Sequence, residues 1–452
     1  MVNTLSTPPF PATVCQLDSG LTVIHQPLAM PVVVVDVWVK AGAIVEPDEW
    51  SGMAHFLEHM IFKGTQQIPP GYFDYVVESR GSMSNAATSH DFAHYYLTTA
   101  APDFAATLPY LAELLMNAAI PADEFDRERE VVLEEIRQAD DDPDWVGFQA
   151  LMQTVYQHHP YRRPVLGTAD QLRRYSPQEM QTFHRTHYYP SNMTVVVTGD
   201  VAQAAALEAI QQSFADPIAL APPVDMPDAI RLRRREAIAA PHRGGLPGDM
   251  APTSAPVVSI APEPPLTDIR RQVLALPRLE QARLLMAWVG PGTDNLVDAY
   301  GLDLLAALLS DGRSSRLVRD LREERQLVQD INCHLMLQKD SSVFMISAWL
   351  EAADLATVEA EIQRHLAQLV TEPPTLAELQ RAQRLLCNQH IFSLETPSQL
   401  ANLYGYYSTI AQPEAAIAYP TYIRAFERED LQQLAQRYLT GDRYAVTVLK
   451  PA

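Results

Sequence analysis

Apolar and polar positions along the chain predict short strands separated by longer helical stretches. Two runs, Val14–Leu17 and Leu21–Ile24, flank the turn residues Asp18, Ser19 and Gly20, which predicts a β-hairpin over 14–26. Val32–Val39 is mostly β-branched and predicts a central strand. Further strands are expected at Met83–Thr88 and His94–Thr99. Helices should fill most of 101–185, and Met193–Thr198 reads as a buried strand ending at Gly199 and Asp200. From 216 to 267 no apolar period survives. Prolines crowd together there, among them Pro222, Pro223, Pro247, Pro252, Pro256 and Pro262. That stretch reads as a linker between domains at 1–215 and 268–452. Its basic run, Arg231–Arg235, fits a solvated charge cluster or a contact with the acidic body.

One apolar helix carries polar groups that ask for a partner. Phe56, Leu57, Met60, Ile61 and Phe62 surround His55, Glu58 and His59. Two imidazoles four residues apart fall on one helix face, about 40° out of line. They can grip one small cation, with the Glu58 carboxylate beside it. The order His-x-x-Glu-His inverts the commoner zinc-peptidase motif. Polar groups in an apolar helix need satisfying, and a metal is one way to do it. A catalytic zinc takes three protein ligands, so a third must come from elsewhere. The acid-rich stretch Pro121–Asp140 reads as a helix, with Pro121 at its start and acids in its first turn. Glu128 and Glu135 share a face there. Spacing alone leaves the adjacent Glu134 open as well.

The run Ser51–Thr65 resembles the signature of the pitrilysin/insulinase-type zinc peptidases, the inverzincins, and within them the processing-peptidase-like branch. The likeness extends to Glu128–Glu135, Ser84–Thr88, His187–Asn192, Gly199–Asp200 and Asp311–Leu317, and so covers most of the chain. It implies an α+β fold of two structurally similar domains. Each would be a mostly antiparallel sheet with packed helices, and the two would face each other across a peptide-holding cavity. It implies Zn2+ held by His55, His59 and Glu135, the last 76 residues after His59. Glu58 would be the general base, Glu128 a helper glutamate, and Asn85, Ala86, Ala87 and Thr88 the strand that pairs with an extended peptide. An internal repeat agrees with two related halves. His187–Val197 lies over Arg437–Thr447 at an offset of 250, and near that offset His55, Glu58 and His59 fall on Asp303, Ala306 and Ala307. The first domain would then bear the zinc and the second would be non-catalytic.

The chain departs from the family at one position. An Arg followed seven residues later by a Tyr assists substrate binding in the family. Here Arg322 is present, and Gln329 stands where the Tyr would be. The branch includes heterodimers in which one chain carries zinc and its partner the Arg/Tyr pair. The expectation is therefore a zinc metalloendopeptidase acting on extended or presequence-like peptides, as the catalytic subunit of a heterodimer with a homologue that lacks the zinc motif. A homodimer is the alternative assembly, and a non-catalytic scaffold of the same fold the alternative function.

Charge and cysteine content narrow the setting. With 34 basic and 55 acidic residues, the net charge of −21 makes nucleic acid an improbable partner. Solubility accounts for the acidity; a cavity that concentrates basic peptides is the sharper account. Cys15, Cys333 and Cys387 are too few and too scattered for a disulfide framework. The first residues show no signal or transit pattern, and no 18-residue apolar run predicts a membrane span. A cytoplasmic location is expected.

Overall fold

A computed structural model of the chain describes residues 9–215, 220, 260–277 and 279–452. Strands β1 (Thr13–Gln16), β2 (Thr22–Pro27), β3 (Val32–Val39), β4 (Met83–Thr88), β5 (Ala93–Ala100) and β6 (Met193–Gly199) form one sheet, in the order β1-β2-β6-β3-β5-β4. The predicted hairpin is β1 and β2, joined antiparallel. Strands β7 (Arg270–Leu276), β8 (Ala282–Gly290), β9 (Asp330–Leu337), β10 (Ser342–Leu350) and β11 (Ala445–Pro451) form a second sheet, ordered β7-β11-β8-β10-β9. Each sheet contains a single parallel pair, β2 with β6 and β7 with β11, and is otherwise antiparallel. Strand for strand, β2-β6-β3-β5-β4 matches β7-β11-β8-β10-β9. The two-part α+β fold expected from the repeat is the fold observed.

The sequence periods explain the layers. Along β3, Val33, Val35, Val37 and Val39 face the helices of the first half, while Val34 and Trp38 face the other way. Both faces are covered, so the strand reads as a continuous apolar run rather than an alternating one. The second cover comes from the opposite half: helix Pro397–Ile410 lies on β3 and β6. Reciprocally, helix Pro143–Val155 of the first half packs on β7, β8 and β11. Glycines permit both close approaches. A Cβ on Gly405 would fall 1.9 Å from Trp38 Nε1, and one on Gly147 would fall 2.7 Å from Leu449 Cδ1. The two halves are thus joined by exchanged helices around two shared apolar clusters.

Asp303, Ala306 and Ala307 lie on helix Leu296–Ser310, the second half's counterpart of the motif helix. Both alanines are buried, and the Asp303 carboxylate accepts the Tyr419 hydroxyl. Packing occupies the space that imidazoles hold in the first half. Most of the expected linker, 216–219 and 221–259 with its Arg231–Arg235 run, lies outside the described residues. Its last part is docked: buried Glu263 accepts the backbone N–H groups of Gln157, His158 and His159 at 2.9–3.2 Å. Among the described residues no helix is long and apolar enough to cross a membrane.

Candidate metal centre

The motif helix spans Met53–Ile61 and is entered through Gly52, whose φ of 92° and close approach to the Leu166 carbonyl oxygen exclude a side chain. No side chain at the cap position satisfies the first turn. Glu46 does so from a distance: its carboxylate accepts Gly52 N–H at 3.0 Å and Ala54 N–H at 2.8 Å. Burial pushes that carboxyl up to about 8, against the backbone N–H groups and Arg163 that favour its charge. Phe56, its ring tilted 36° to that of Phe125 with centroids 4.7 Å apart, holds the motif helix against the acidic helix Ala122–Asp141. The helix turns its remaining face, with His55 and His59, toward Glu135.

His55 Nε2 and His59 Nε2 lie 3.6 and 3.5 Å from Glu135 Oε2. One ligand atom from each residue falls within 4.8 Å of the other two, the one such cluster found among the described residues. Glu134, which spacing could not separate from Glu135, is exposed and paired with Arg137 at 2.5 Å. Glu128 sits behind the cluster. Its Oε1 bonds His59 Nδ1 at 3.0 Å and its Oε2 takes Lys63 Nζ at 2.6 Å. That bond fixes the ring and leaves Nε2 for a cation, the usual arrangement behind a metal-binding His.

The electrostatics fit a cation. Burial, helped by the neighbouring His59, lowers His55 to about 4. Burial also disfavours charge on His59, but Glu128 and Glu135 overcome it and raise the ring to about 9. Glu135 is lowered by its bond to His59 and by the nearby His55. Glu128 and Glu135 thus favour positive charge at His59 while His55 stays neutral, and two imidazoles with one carboxylate are a zinc-type donor set.

Glu58 points toward β4, where its Oε2 accepts the Thr88 hydroxyl at 2.6 Å. Burial raises its carboxyl above the ordinary range; the Thr88 bond and the charges of His59 and His94 pull it back. Thr88, expected only as part of a peptide-pairing strand, thus also orients Glu58. β4 is an edge strand, with Ala86 turned toward the core and Asn85 and Ala87 exposed on its other face. Arg322 lies on the short π-helix Val318–Glu324 and is ion-paired with Glu323 at 2.9 Å and Asp330 at 3.0 Å, within the second half. Gln329 is exposed, its backbone N–H bonded to the Trp349 carbonyl. Glu46 and Lys63 were not anticipated. Lys63 could have been, being four residues after His59; nothing local marks Glu46 as a cap.

Two helices thus bring a His-His-Glu group that could hold a metal ion beside an open sheet edge, and comparison places the chain in a family. The family described as insulinase (peptidase family M16) matches residues 22–169, and the M16 inactive domain matches 174–386. The chain is 27% identical over 439 residues to zinc protease PqqE of Helicobacter pylori, covering 96% of this chain and 92% of that one. It is 28% identical over 452 residues to an uncharacterized zinc protease of Mycobacterium leprae, covering 97% and 92%. A probable mitochondrial-processing peptidase subunit beta of Arabidopsis thaliana is 33% identical over 202 residues, 44% of this chain and 38% of that one. The crystal structure of a protease from Helicobacter pylori superposes with a TM-score of 0.84 at 27% identity, covering 99% of this chain and all of that one. The chain belongs to the insulinase-type (M16) peptidase family.

Proposed function

We propose that the protein is a zinc metalloendopeptidase that cleaves extended peptides. The observation carrying this reading is the convergence of His55, His59 and Glu135 within 4.8 Å, with Glu58 beside them. The names of the similar zinc proteases support it. Zinc, when bound, supplies a Lewis acid that polarises a scissile carbonyl and makes water acidic near neutrality. The chain's own groups do the rest. Glu58 takes a proton from the attacking water and returns it to the leaving amine. Thr88 holds Oε2 of that carboxylate, so Oε1 carries the proton. Glu128 holds His59 in the tautomer that presents Nε2. The free edge of β4 offers backbone groups to an extended substrate over Asn85, Ala86, Ala87 and Thr88.

The assembly we propose is a heterodimer, with this chain bearing zinc and a homologue without the motif supplying an Arg/Tyr pair. A Gln at 329 cannot supply a phenol, and Arg322 is engaged by Glu323 and Asp330. Loss of one such stabilising donor costs on the order of 10²–10³ in rate. The test is peptidase activity on a basic fluorogenic peptide library, with the chain alone and mixed with such a homologue. Activity appearing only in the mixture supports the heterodimer. Full activity of the chain alone, unaltered by the homologue, overturns it in favour of a homodimer.

A further inference from the structure

The strand-for-strand match of the two sheets makes two hairpins equivalent, β4–β5 in the first half and β9–β10 in the second, each with its outer strand at a sheet edge. Their turns meet. The turn at 89–92 follows β4 directly and is closed by Ser89 N–H donating to the Phe92 carbonyl at 2.7 Å. Asp91, 8% exposed, lies in that turn. Its Oδ2 accepts the Lys339 N–H at 3.1 Å, from the β9–β10 turn, and its Oδ1 accepts the Tyr161 hydroxyl at 2.6 Å. The Tyr161 oxygen in turn accepts the Asp340 N–H at 3.2 Å. Beside these bonds, the Phe92 ring meets Tyr406 of helix Pro397–Ile410 at 6.0 Å, and the Tyr406 hydroxyl donates to the Leu337 carbonyl at 2.7 Å. A carboxylate taken out of water is costly unless its oxygens are bonded, and both oxygens of Asp91 are. The mechanism at the metal cluster uses neither Asp91 nor Tyr161.

These bonds matter for β4 because that strand is otherwise lightly held. β5 lies inside the sheet, and its His94 Nδ1 is 3.0 Å from Asp36 Oδ1 on β3. β4 pairs on one side only, and its side chains alternate between half-buried and exposed. Thr88, three residues before Asp91, is the residue whose hydroxyl holds Glu58. A displaced turn would therefore move the peptide-pairing edge and the Glu58 carboxylate together. The first half holds one side of the turn, through the Ala43 and Ile44 N–H groups donating to the Ser89 and His90 carbonyls at 3.1 and 2.8 Å. The bonds at Asp91 tie its other side to the second half, where the Lys339 carbonyl is itself fixed by the Thr293 N–H at 2.9 Å. We infer that Asp91 is a positioning residue: through Lys339 and Tyr161 the second half holds β4 in place for the peptide and Thr88 in place for Glu58. The inference rests on the peptidase reading and gives the second half a part in it.

The test uses the full-length chain. Backbone hydrogen exchange and zinc affinity, by chelator competition, are measured on Asp91→Ala, Asp91→Asn and Tyr161→Phe. Each substitution is repeated on Glu58→Gln protein, so that binding of a fluorescent basic peptide is read without turnover. Asp91→Ala leaves the Tyr161 hydroxyl and the Lys339 N–H without their acceptor. The β4 amides bonded to β5 should then exchange about 10-fold faster or more, and peptide binding should weaken by about the same factor. Zinc affinity should stay within about two-fold of wild type, because His55, His59 and Glu135 lie on other elements. Asp91→Asn keeps one acceptor oxygen and should recover part of both losses. Tyr161→Phe should reproduce them, which guards against Asp91→Ala failing to fold. Unchanged β4 exchange in the folded variants overturns the inference. So does faster exchange spread evenly over both halves with zinc affinity falling in step, the mark of a merely structural role. Faster β4 exchange in variants of a chain that never cleaves peptides, alone or with a homologue, would refute the peptidase reading and leave the tie between the turns standing.

Discussion

Replacing Glu128 tests whether the group behind the ligands matters as the geometry requires. Glu128 is 8% exposed, and its carboxylate makes two bonds, to His59 Nδ1 at 3.0 Å and to Lys63 Nζ at 2.6 Å. Burial works against its charge, yet His59 and Lys63 hold the carboxyl below its ordinary range. Glu128→Ala removes the acceptor that fixes the ring and leaves the Lys63 ammonium near the cluster uncompensated. Loss of such a partner weakens metal affinity by roughly 10–100-fold, or about 1.4–2.7 kcal/mol. Glu128→Gln keeps a carbonyl oxygen for Nδ1–H and loses only the charge, so its loss should be smaller. The assay is zinc affinity by competition with a chelator at fixed pH, with the melting temperature taken on the same samples. The expected order is wild type tightest, then Glu128→Gln, then Glu128→Ala. A folded Glu128→Ala protein that binds zinc as tightly as wild type would refute the positioning role.

Three further outcomes follow from the packing and the ion pairs. Gly405→Ala places a methyl inside the Trp38 indole and should destabilise by about 1–3 kcal/mol in denaturant unfolding; an unchanged midpoint would mean the exchanged helix is not tightly seated. Glu46→Ala leaves the Gly52 and Ala54 N–H groups unsatisfied and should cost roughly 1–2 kcal/mol, with Glu46→Gln recovering part of it; equal stability of all three proteins would count against the cap. Glu378 is held by Arg316 at 2.7 and 2.9 Å and by the Thr375 N–H and hydroxyl at 2.8 Å, which together overcome burial and lower its carboxyl to about 2. Because the folded value lies below the ordinary one, this stabilisation is complete above about pH 4.5 and fades as pH falls toward 2. Linkage gives at most about 3 kcal/mol, and solvent screening brings it nearer 1. Arg316→Leu should flatten that limb of a stability–pH curve, and an unaltered limb would assign the acid sensitivity elsewhere.

Local pattern carried much of this molecule. β3 and β4 have the limits that their sequences predict, and the helix beginning after Pro121 ends within a residue of its expected end. These segments are set by their own periods and breakers. His55 and His59 were legible because four-residue spacing fixes a helix face. Glu135 was not, since Glu134 satisfies the same local rules; only the likeness to a family separated them, and the packing of two helices gives the reason. The Glu46 cap, the Asp36–His94 pair and the contact of Gly405 with Trp38 join residues 6 to 367 positions apart. Such contacts are decided by how sheets and exchanged helices meet, and no local signal records them. Arg322 illustrates the converse: its place in the sequence was clear, while its ion pairs with Glu323 and Asp330 were visible only once the fold was known.

The central claim is that His55, His59 and Glu135 hold zinc for a hydrolysis in which Glu58 moves the proton. It is tested most directly by measuring zinc content and peptide hydrolysis on the same samples of wild type and Glu58→Gln, each mixed with a homologue that lacks the motif. The account predicts about one zinc per chain in both proteins, with hydrolysis reduced at least 100-fold in the variant. Hydrolysis by Glu58→Gln at the wild-type rate, or a wild-type chain that takes up no zinc, would contradict it.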